Sequence, residues 1–282
     1  YVGTNYEPVN EGCESGRGFA NAMLMGVLYV ESDANWVEPQ LPPHPRLRHY
    51  YRDEAERRSY LDRAFDKSAQ YYDRLSWLLG FGVDGWYRRQ ALLRAGLAPG
   101  MSMLDVGCGT GLSAAAAMEI VGPDDRIIGV EPSRGMLDEA LRRQRLHSGI
   151  RGLAERLPVD DDTFDFVCMS FALRHVADLR AAFEEFKRVL KPGGRLLIVE
   201  MTLPPPALMY RLLRFYMKTV VPLIARLWAR SRIAQELYVY CWETHDLCVP
   251  SDVILSTMRQ VGLQDVTRWV DIGLFSEYTG RK

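Results

Sequence analysis

The sequence predicts an α/β chain organised around a doubly wound, mostly parallel sheet, with helices ahead of it and a helical lid inserted near its end. Strand and helix patterns alternate strictly between Ser102 and Met201, as in a parallel sheet covered on both faces. A glycine-rich turn joins the first of those strands to an Ala-rich helix. With 282 residues and a 48% hydrophobic share, the chain can fill the core of one large domain.

Residues 1–48 are rich in Gly, Asn and Glu, lack a clear period, and end in the run Leu41-Pro42-Pro43-His44-Pro45. They are expected to form an N-terminal extension, with residues 49–282 as the functional domain. From Tyr50 to about Arg94 the pattern is helical, with Tyr60, Leu61, Ala64 and Phe65 on one face and breaks at Gly80, Gly82 and Gly85. The first strand is expected over Ser102 to Val106, followed by a helix from Leu112 to Ile120. Next come a strand from Arg126 to Val130 and a helix from Ser133 to His147, capped by Ser133. A third strand, Phe164 to Ser170, leads into a helix from Leu179 to Leu190 that Lys191-Pro192-Gly193-Gly194 should close. Arg195 to Met201 is the fourth strand. Pro204-Pro205-Pro206 then opens an amphipathic stretch that runs to about Arg232 with an interruption at Pro222, and the lid is expected over about 204–248. A helix from Ser251 to Val261 and strands near Gln264 to Val270 and Leu274 to Arg281 complete the chain.

The formal net charge of −1 gives no electrostatic case for a nucleic-acid partner. Cys13, Cys108, Cys168, Cys241 and Cys248 form no Cys-x-x-Cys pair and no zinc spacing, so no metal is expected and the odd count reads as reduced and intracellular. No signal peptide or bilayer-length apolar run stands out, which points to a cytoplasmic protein. The stretch 208–232 keeps peripheral membrane contact open, because Arg211, Arg214 and Lys218 share one helical face while Tyr210, Leu213, Phe215 and Met217 fill much of the remainder. The alternative is a lid helix docked on the domain with its charges in water.

The strongest chemical signal is Met103-Leu104-Asp105-Val106-Gly107-Cys108-Gly109-Thr110-Gly111. Glycines at alternate positions let the chain turn sharply and bring backbone N–H groups against a ligand. Dinucleotide sites also use a glycine turn after their first strand, so the turn alone does not decide the ligand. Two details separate the readings: the spacing is G-x-G-x-G, and Asp105 ends the strand just before it. A carboxylate there serves a pyrophosphate poorly and suits the α-amino group and sulfonium of S-adenosyl-L-methionine. Glu131, at the end of the next strand, stands where a carboxylate can accept hydrogen bonds from both ribose hydroxyls; otherwise it is a helix-entry charge before Pro132-Ser133.

Taken together, these segments resemble the class I S-adenosylmethionine methyltransferases, and within them the UbiE/MenG type of quinone-biosynthesis C-methyltransferases. The resemblance runs from about Phe65 to the C-terminus. It is carried by Phe65-Asp66 through Tyr72-Asp73, Gly82 through Arg88-Arg89, the glycine loop, Glu131, and Leu157-Pro158 with Phe164-Asp165. Phe171-Ala172-Leu173-Arg174-His175-Val176, Leu190-Lys191-Pro192-Gly193-Gly194-Arg195 and the terminal Gly280-Arg281-Lys282 complete it. The resemblance implies a cofactor site of Tyr72, Asp105, Gly107, Cys108, Gly109, Gly111, Glu131, Pro132, Met136, Ala154, Glu155 and Ser170. This chain has Leu153 where many relatives have Asp, which leaves the adenine contact to the Ala154 backbone N–H. His175 replaces an Asn of the family block and Tyr278 a C-terminal histidine, both expected on the acceptor side.

Methyl transfer from a sulfonium is a displacement for which the protein positions two partners and excludes water, and a carbon or oxygen nucleophile must also lose a proton. The ends of the third and fourth strands place Ser170, Arg174, His175 and Glu200 near the reaction. The resemblance assigns Arg174 to deprotonation through water, and His175 adds an imidazole beside it. Glu243, Thr244 and His245 are candidates in the lid, or else a solvated loop. The expected acceptor is small and hydrophobic, a quinol-like or prenylated ring methylated at carbon. A natural-product or lipid acceptor methylated at C, O or N, a nicotinamide-dependent oxidoreductase and a non-catalytic cofactor-binding module are the competing readings.

Overall fold

The computed structural model describes residues 27–29, 41–79, 84–122, 126–202, 207–229, 232–271 and 273–282. Most of the expected extension, the breaks at Gly80 and Gly82, and the run Pro204-Pro205-Pro206 lie outside them. In chain order the elements are β1 (Val27–Tyr29), α1 (Glu54–Leu79), α2 (Asp84–Arg94), β2 (Met103–Val106), α3 (Leu112–Val121), β3 (Ile127–Val130), α4 (Arg134–Arg142), β4 (Ser148–Arg151) and β5 (Phe164–Ser170). A single 3₁₀ turn (Leu173–His175) leads to α5 (Leu179–Val189), β6 (Leu190–Met201) and α6 (Ala207–Phe215). A π-helical turn (Tyr216–Val220) joins α6 to α7 (Val221–Ala229), and α8 (Arg232–Asp246), α9 (Ser251–Gln260), β7 (Gln264–Asp271) and β8 (Phe275–Arg281) follow.

One sheet runs in the order β1-β4-β3-β2-β5-β6-β8-β7. It is parallel from β1 to β6, while β8 runs antiparallel to both β6 and β7. Every residue of β2 and of β3 is buried, as strands covered on both faces require. Strand side chains alternate between two cores. Leu104, Ile128, Val167 and Ile198 join Phe183 and Phe186 of α5 and Met258 of α9 on one face. Met103, Ile127, Phe166 and Leu197 join Leu92 of α2, Ala114 and Ala117 of α3 and Leu137 of α4 on the other. The alanines of α3 let that helix lie close to the sheet, which fixes the glycine turn feeding it.

Three expectations need correction. The helix capped by Ser133 ends at Arg142, because Gln144 takes a positive φ of 56° and the chain enters β4, a strand the sequence pattern did not suggest. Ser133 does cap the helix, its Oγ accepting the Met136 N–H at 3.2 Å. Lys191-Pro192-Gly193-Gly194 does not separate helix from strand: β6 starts at Leu190, and the pairing with β5 jumps from Phe164↔Leu190 to Phe166↔Arg195. Gly85 lies inside α2 and breaks nothing. Residues 41–48 also belong to the packed structure. The Leu41 N–H donates to Asp178 at 3.2 Å, the Val249 N–H to the Pro43 carbonyl at 2.7 Å, and Leu47 is buried against Tyr51 and Tyr240.

Candidate active site

The carboxyl ends of β2, β3 and β5 meet at an open cleft of about 1010 Å³, the solvent at its mouth included, where a doubly wound sheet places its ligand. Of the residues expected to hold the cofactor, Tyr72, Gly107, Cys108, Gly109, Glu131, Pro132, Met136, Ala154, Glu155 and Ser170 all line it, and so does His175. Asp105, Gly111 and Arg174 do not. Gly107 needs its positive φ of 64°, and a Cβ there would come within 2.8 Å of Ala172 Cβ. Gly109, at φ 54°, would point a Cβ into open space. Gly111 instead lies tight against α4, where a Cβ would meet Arg145 Cβ at 2.9 Å.

Two buried carboxylates dominate the electrostatics. Asp105 is 1% exposed and burial raises its pKa to about 7, against the pull of Arg88 and the Ala114 N–H; its Oδ2 has no partner. Glu131 is 7% exposed and burial likewise raises it to about 7, although its oxygens accept the N–H groups of Gly109 and Ser133, each at 2.9 Å. Both are half-ionised near neutrality, so a cationic ligand beside them gains from drawing off their protons.

α1 forms the roof. Leu61, Asp62, Phe65 and Tyr72 line the cleft from it, and two of its carboxylates fasten it down. Asp66 accepts the Ser133 hydroxyl at 2.6 Å and the Gly135 N–H at 2.8 Å. Asp73 accepts the Thr110 hydroxyl and pairs with Arg145 and, at 2.8 Å, Arg143. Gly135 permits the approach, since a Cβ there would sit 2.9 Å from the Asp66 backbone. The sequence contains a signal for this clamp: a seven-residue spacing is two helical turns and puts both acids on one face. Arg88 carried no comparable signal. It lines the cleft from α2, paired with Asp84 at 3.0 Å, hydrogen-bonded to Ser113 at 2.7 Å and lying 4.8 Å over the Phe171 ring.

The remaining candidates divide by environment. Arg174 is buried, pairs with Glu200 at 3.1 Å and donates to the Phe171 carbonyl at 2.8 Å. His175 is flanked by Phe65 at 5.4 Å and Tyr240 at 5.8 Å, and neither ring nitrogen has a partner. Burial first, then the Arg174 and Arg57 guanidinium groups, lowers its pKa well below the ordinary value. Glu155 lines the cleft but its carboxylate accepts the Ala177 and Asp178 N–H groups. Glu243 pairs with His49 at 2.9 Å, the Thr244 hydroxyl bonds to carbonyls of its own helix, and burial drives His245 down to about 3; none of the three lines the cleft. Tyr278 is not on the acceptor side as expected: it is buried in the sheet core, its hydroxyl on Ser251 at 2.9 Å.

The strand order, the glycine turn and an acid at each of two adjacent strand ends together define an S-adenosylmethionine-dependent methyltransferase, and the structural neighbours share that fold. They include a SAM-dependent methyltransferase from Aquifex aeolicus, with a TM-score of 0.54 and 18% identity over 77% of this chain and 97% of that one. Phosphoethanolamine N-methyltransferase 2 of Haemonchus contortus in complex with S-adenosyl-L-methionine aligns with a TM-score of 0.55 and 19% identity over 80% of this chain and 60% of that one. The chain belongs to the ubiE/COQ5 methyltransferase family, which it matches over residues 53–280. It is 31% identical to the ubiquinone/menaquinone biosynthesis C-methyltransferase UbiE of Hahella chejuensis over 74% of this chain and 85% of that protein. The demethylmenaquinone methyltransferase of Staphylococcus aureus (strain JH9) is 31% identical over 64% of this chain and 76% of that protein.

S-adenosylmethionine is accordingly the cofactor, and the residues present fit it: Gly109 leaves room at the turn, and Asp105 behind the turn keeps a buried oxygen without a partner, a site of negative potential for a cationic ligand in the cleft. Replacing Glu131 by Ala removes the charged acceptor at the second strand end. Calorimetric affinity for S-adenosylmethionine is expected to fall about ten- to a hundredfold, the range for a hydrogen bond to a charged group. A change below about twofold would reduce Glu131 to a helix-entry charge.

Proposed function

We propose that this methyltransferase delivers the methyl group to a ring carbon of a quinol-like, prenylated acceptor. The observation that carries this reading is the aromatic wall of Phe65, Tyr72, Phe171 and His175, in which an imidazole with two unpartnered nitrogens is the polar group facing a flat apolar ring. The names of the two relatives above, a quinone-biosynthesis C-methyltransferase and a demethylmenaquinone methyltransferase, support the same acceptor class. On this reading Asp105, buried behind the glycine turn, sets a negative potential that favours the cofactor's cationic end, Arg88 holds its carboxylate, Glu131 its ribose hydroxyls and the Ala154 N–H its adenine. Pro132 and Met136 flank the base, and Tyr72, Cys108 and Ser170 close the sides. Bound there, S-adenosylmethionine supplies an electrophilic methyl group on a sulfonium.

The chain's own part is to make the ring electron-rich and keep water out. Neutral His175 accepts a hydrogen bond from a ring hydroxyl. The positive potential of Arg174 and Arg57, which keeps His175 neutral, favours the negative charge that builds on that oxygen as the ring carbon takes the methyl group. The proton on the methylated carbon then leaves to water to restore the aromatic ring. Arg174 is a positioning residue, tying Glu200 to the Phe171 carbonyl at the end of β5. α1 covers the acceptor, and α8 adds to that cover through Tyr240, which stacks on His175 at 5.8 Å. With a reduced prenylated demethylnaphthoquinone and labelled S-adenosylmethionine, label is expected on ring carbon. In the same assay His175→Phe, which keeps the ring and loses the acceptor nitrogens, should lower kcat about a hundredfold at unchanged cofactor affinity, while His175→Asn retains most activity. Label on oxygen, or full activity in His175→Phe, would contradict the assignment.

The acceptor reaches the site from a membrane surface through α6 and α7. These helices expose Leu208 (70%), Met209, Leu212, Phe215, Leu223 and Leu227 (68%) beside Arg211, Arg214, Lys218 and Arg226. No acidic residue occurs between 207 and 229. Apolar side chains beside cations, of which Lys218 also reaches Glu243 of α8 at 3.8 Å, suit an anionic lipid interface, and no helix among the described residues is long and apolar enough to cross a membrane. Co-sedimentation with phosphatidylglycerol vesicles should be lost in Leu212→Glu/Phe215→Glu with cofactor affinity intact; equal sedimentation of both proteins would rule the surface out.

A further inference from the structure

One carboxylate on the roof of the cleft takes no part in the clamp. Asp62 lines the cleft from α1, one helical turn before Asp66. It lies 3.7 Å from Arg151, the last residue of β4, and its side chain is 27% exposed. That separation is too long for a hydrogen bond, and none reaches the Asp62 carboxylate among the described residues. Burial raises its pKa above the ordinary value; Arg151 and Arg58 pull it down, and Asp66 pushes it up. The group is partly withdrawn from water without a hydrogen-bond donor to meet it.

Its place along α1 decides which part of the cofactor it faces. Asp73 fastens to Thr110 in the glycine turn, and Asp66 to Ser133 and Gly135 at the start of α4. Asp62 continues that line away from the turn, about 16 Å from Asp73 along the helix axis. Its neighbour Arg151 donates to the Pro132 carbonyl at 2.9 Å. From Arg151 the chain runs directly into Gly152, Leu153 and Ala154, which line the cleft as Pro132 does. Asp62 therefore stands over the end of the cleft that holds the base in the functional reading, away from the sulfonium.

The amino group of adenine needs an acceptor at that end, and few are free. Pro132, Met136, Leu153 and Ala154 present apolar side chains, and the Ala154 N–H can only donate, so it serves a ring nitrogen. The Glu155 carboxylate is engaged with the Ala177 and Asp178 N–H groups. Glu131 accepts from Gly109 and Ser133 and has the ribose hydroxyls to meet. We propose that Asp62 accepts a hydrogen bond from the exocyclic amino group of the cofactor's adenine. A 6-oxopurine would turn a carbonyl oxygen toward the same carboxylate and be repelled, so Asp62 selects the 6-aminopurine. The contact depends on the base lying beside Ala154, as in the functional reading, and not on the identity of the methyl acceptor.

The test is calorimetric titration of the full chain with S-adenosylhomocysteine and with its analogue in which unsubstituted purine replaces adenine. The two ligands differ in the amino group alone. The wild-type chain is expected to bind the adenine ligand about tenfold more tightly, the effect of a hydrogen bond to a charged group. Asp62→Ala should weaken the adenine ligand about tenfold and leave the purine ligand within about twofold, which abolishes the preference. Asp62→Asn removes the charge and keeps the shape; it should cut the preference about threefold or more, and it gives the answer if Asp62→Ala perturbs folding. Glu131→Ala, which lacks the ribose acceptor, should weaken both ligands alike. An equal loss for both ligands in Asp62→Ala, as a role toward ribose or Arg151 would give, or no loss for either, would overturn the proposal and leave the cofactor's placement standing. So would a wild-type chain without preference for adenine. Unchanged affinities in Glu131→Ala would overturn that placement and the proposal with it.

Discussion

Asp105 and Glu131 are carboxylates buried near one another at the carboxyl ends of neighbouring parallel strands, and the site is arranged around the cost of keeping them there. Burial is the main cause in both; Glu131 adds a smaller upward push to Asp105, and Asp62 and Asp66 add to Glu131. Ordinary carboxyl groups in the unfolded chain titrate near 4, so these two hold extra protons in the folded chain between about 4 and 7. Their contribution to stability is therefore fully present in acid and is lost as pH rises through about 7. The fold offsets part of that loss with the Arg88 guanidinium, the Ala114 N–H and the amides of Gly109 and Ser133. A ligand cationic near Asp105 and carrying hydroxyls at Glu131 would supply what the protein alone does not.

The same acids explain why α1 must be clamped. Buried carboxylates stay perturbed only under a roof that excludes water, and α1 is that roof. Asp66 and Asp73 anchor it to the start of α4 and to the glycine turn, so the two elements that carry the cofactor residues also hold their cover. Further along, α1 packs with α8 around Tyr60, Ala64, Leu237 and Tyr240, which brings His175 under an aromatic cover. The cleft and the aromatic cover of His175 are thus joined through one helix.

The fold was legible where backbone physics leaves a mark in short stretches. The glycines of the turn, the acid before them and the acid closing β3 are local signals; the structure puts Gly107, Gly109 and Glu131 in one cleft and leaves Asp105 and Gly111 outside its lining. β4 escaped because Ser148-Gly149-Ile150-Arg151 is four residues long with polar ends and follows a helix without a clear stop. The start of β6 escaped because Pro192-Gly193-Gly194 imitates a terminator, whereas Gly193 at φ 78° lets the chain turn and pairing resume at Arg195. Arg88 and the placement of Tyr278 depend on contacts distant in sequence: Ser113 and Phe171 for one, Ser251 for the other. Residues 41–48 looked like the end of an arm because their order comes from Asp178 and Val249, not from a period of their own.

The claim that the buried acid pair is kept for a cationic ligand is tested most directly by the protons exchanged when S-adenosylmethionine binds. Calorimetry at a pH near 7, in buffers of differing ionisation enthalpy, measures that number. The account predicts net proton release, with affinity rising as pH goes from about 6 to about 7.5, because Asp105 must ionise to favour the cationic end of the ligand and Glu131 to accept its hydroxyls. It also predicts that Asp105→Asn, which removes one of the two titrating groups, releases fewer protons. Proton uptake on binding, or affinity that does not change across this range, would contradict it.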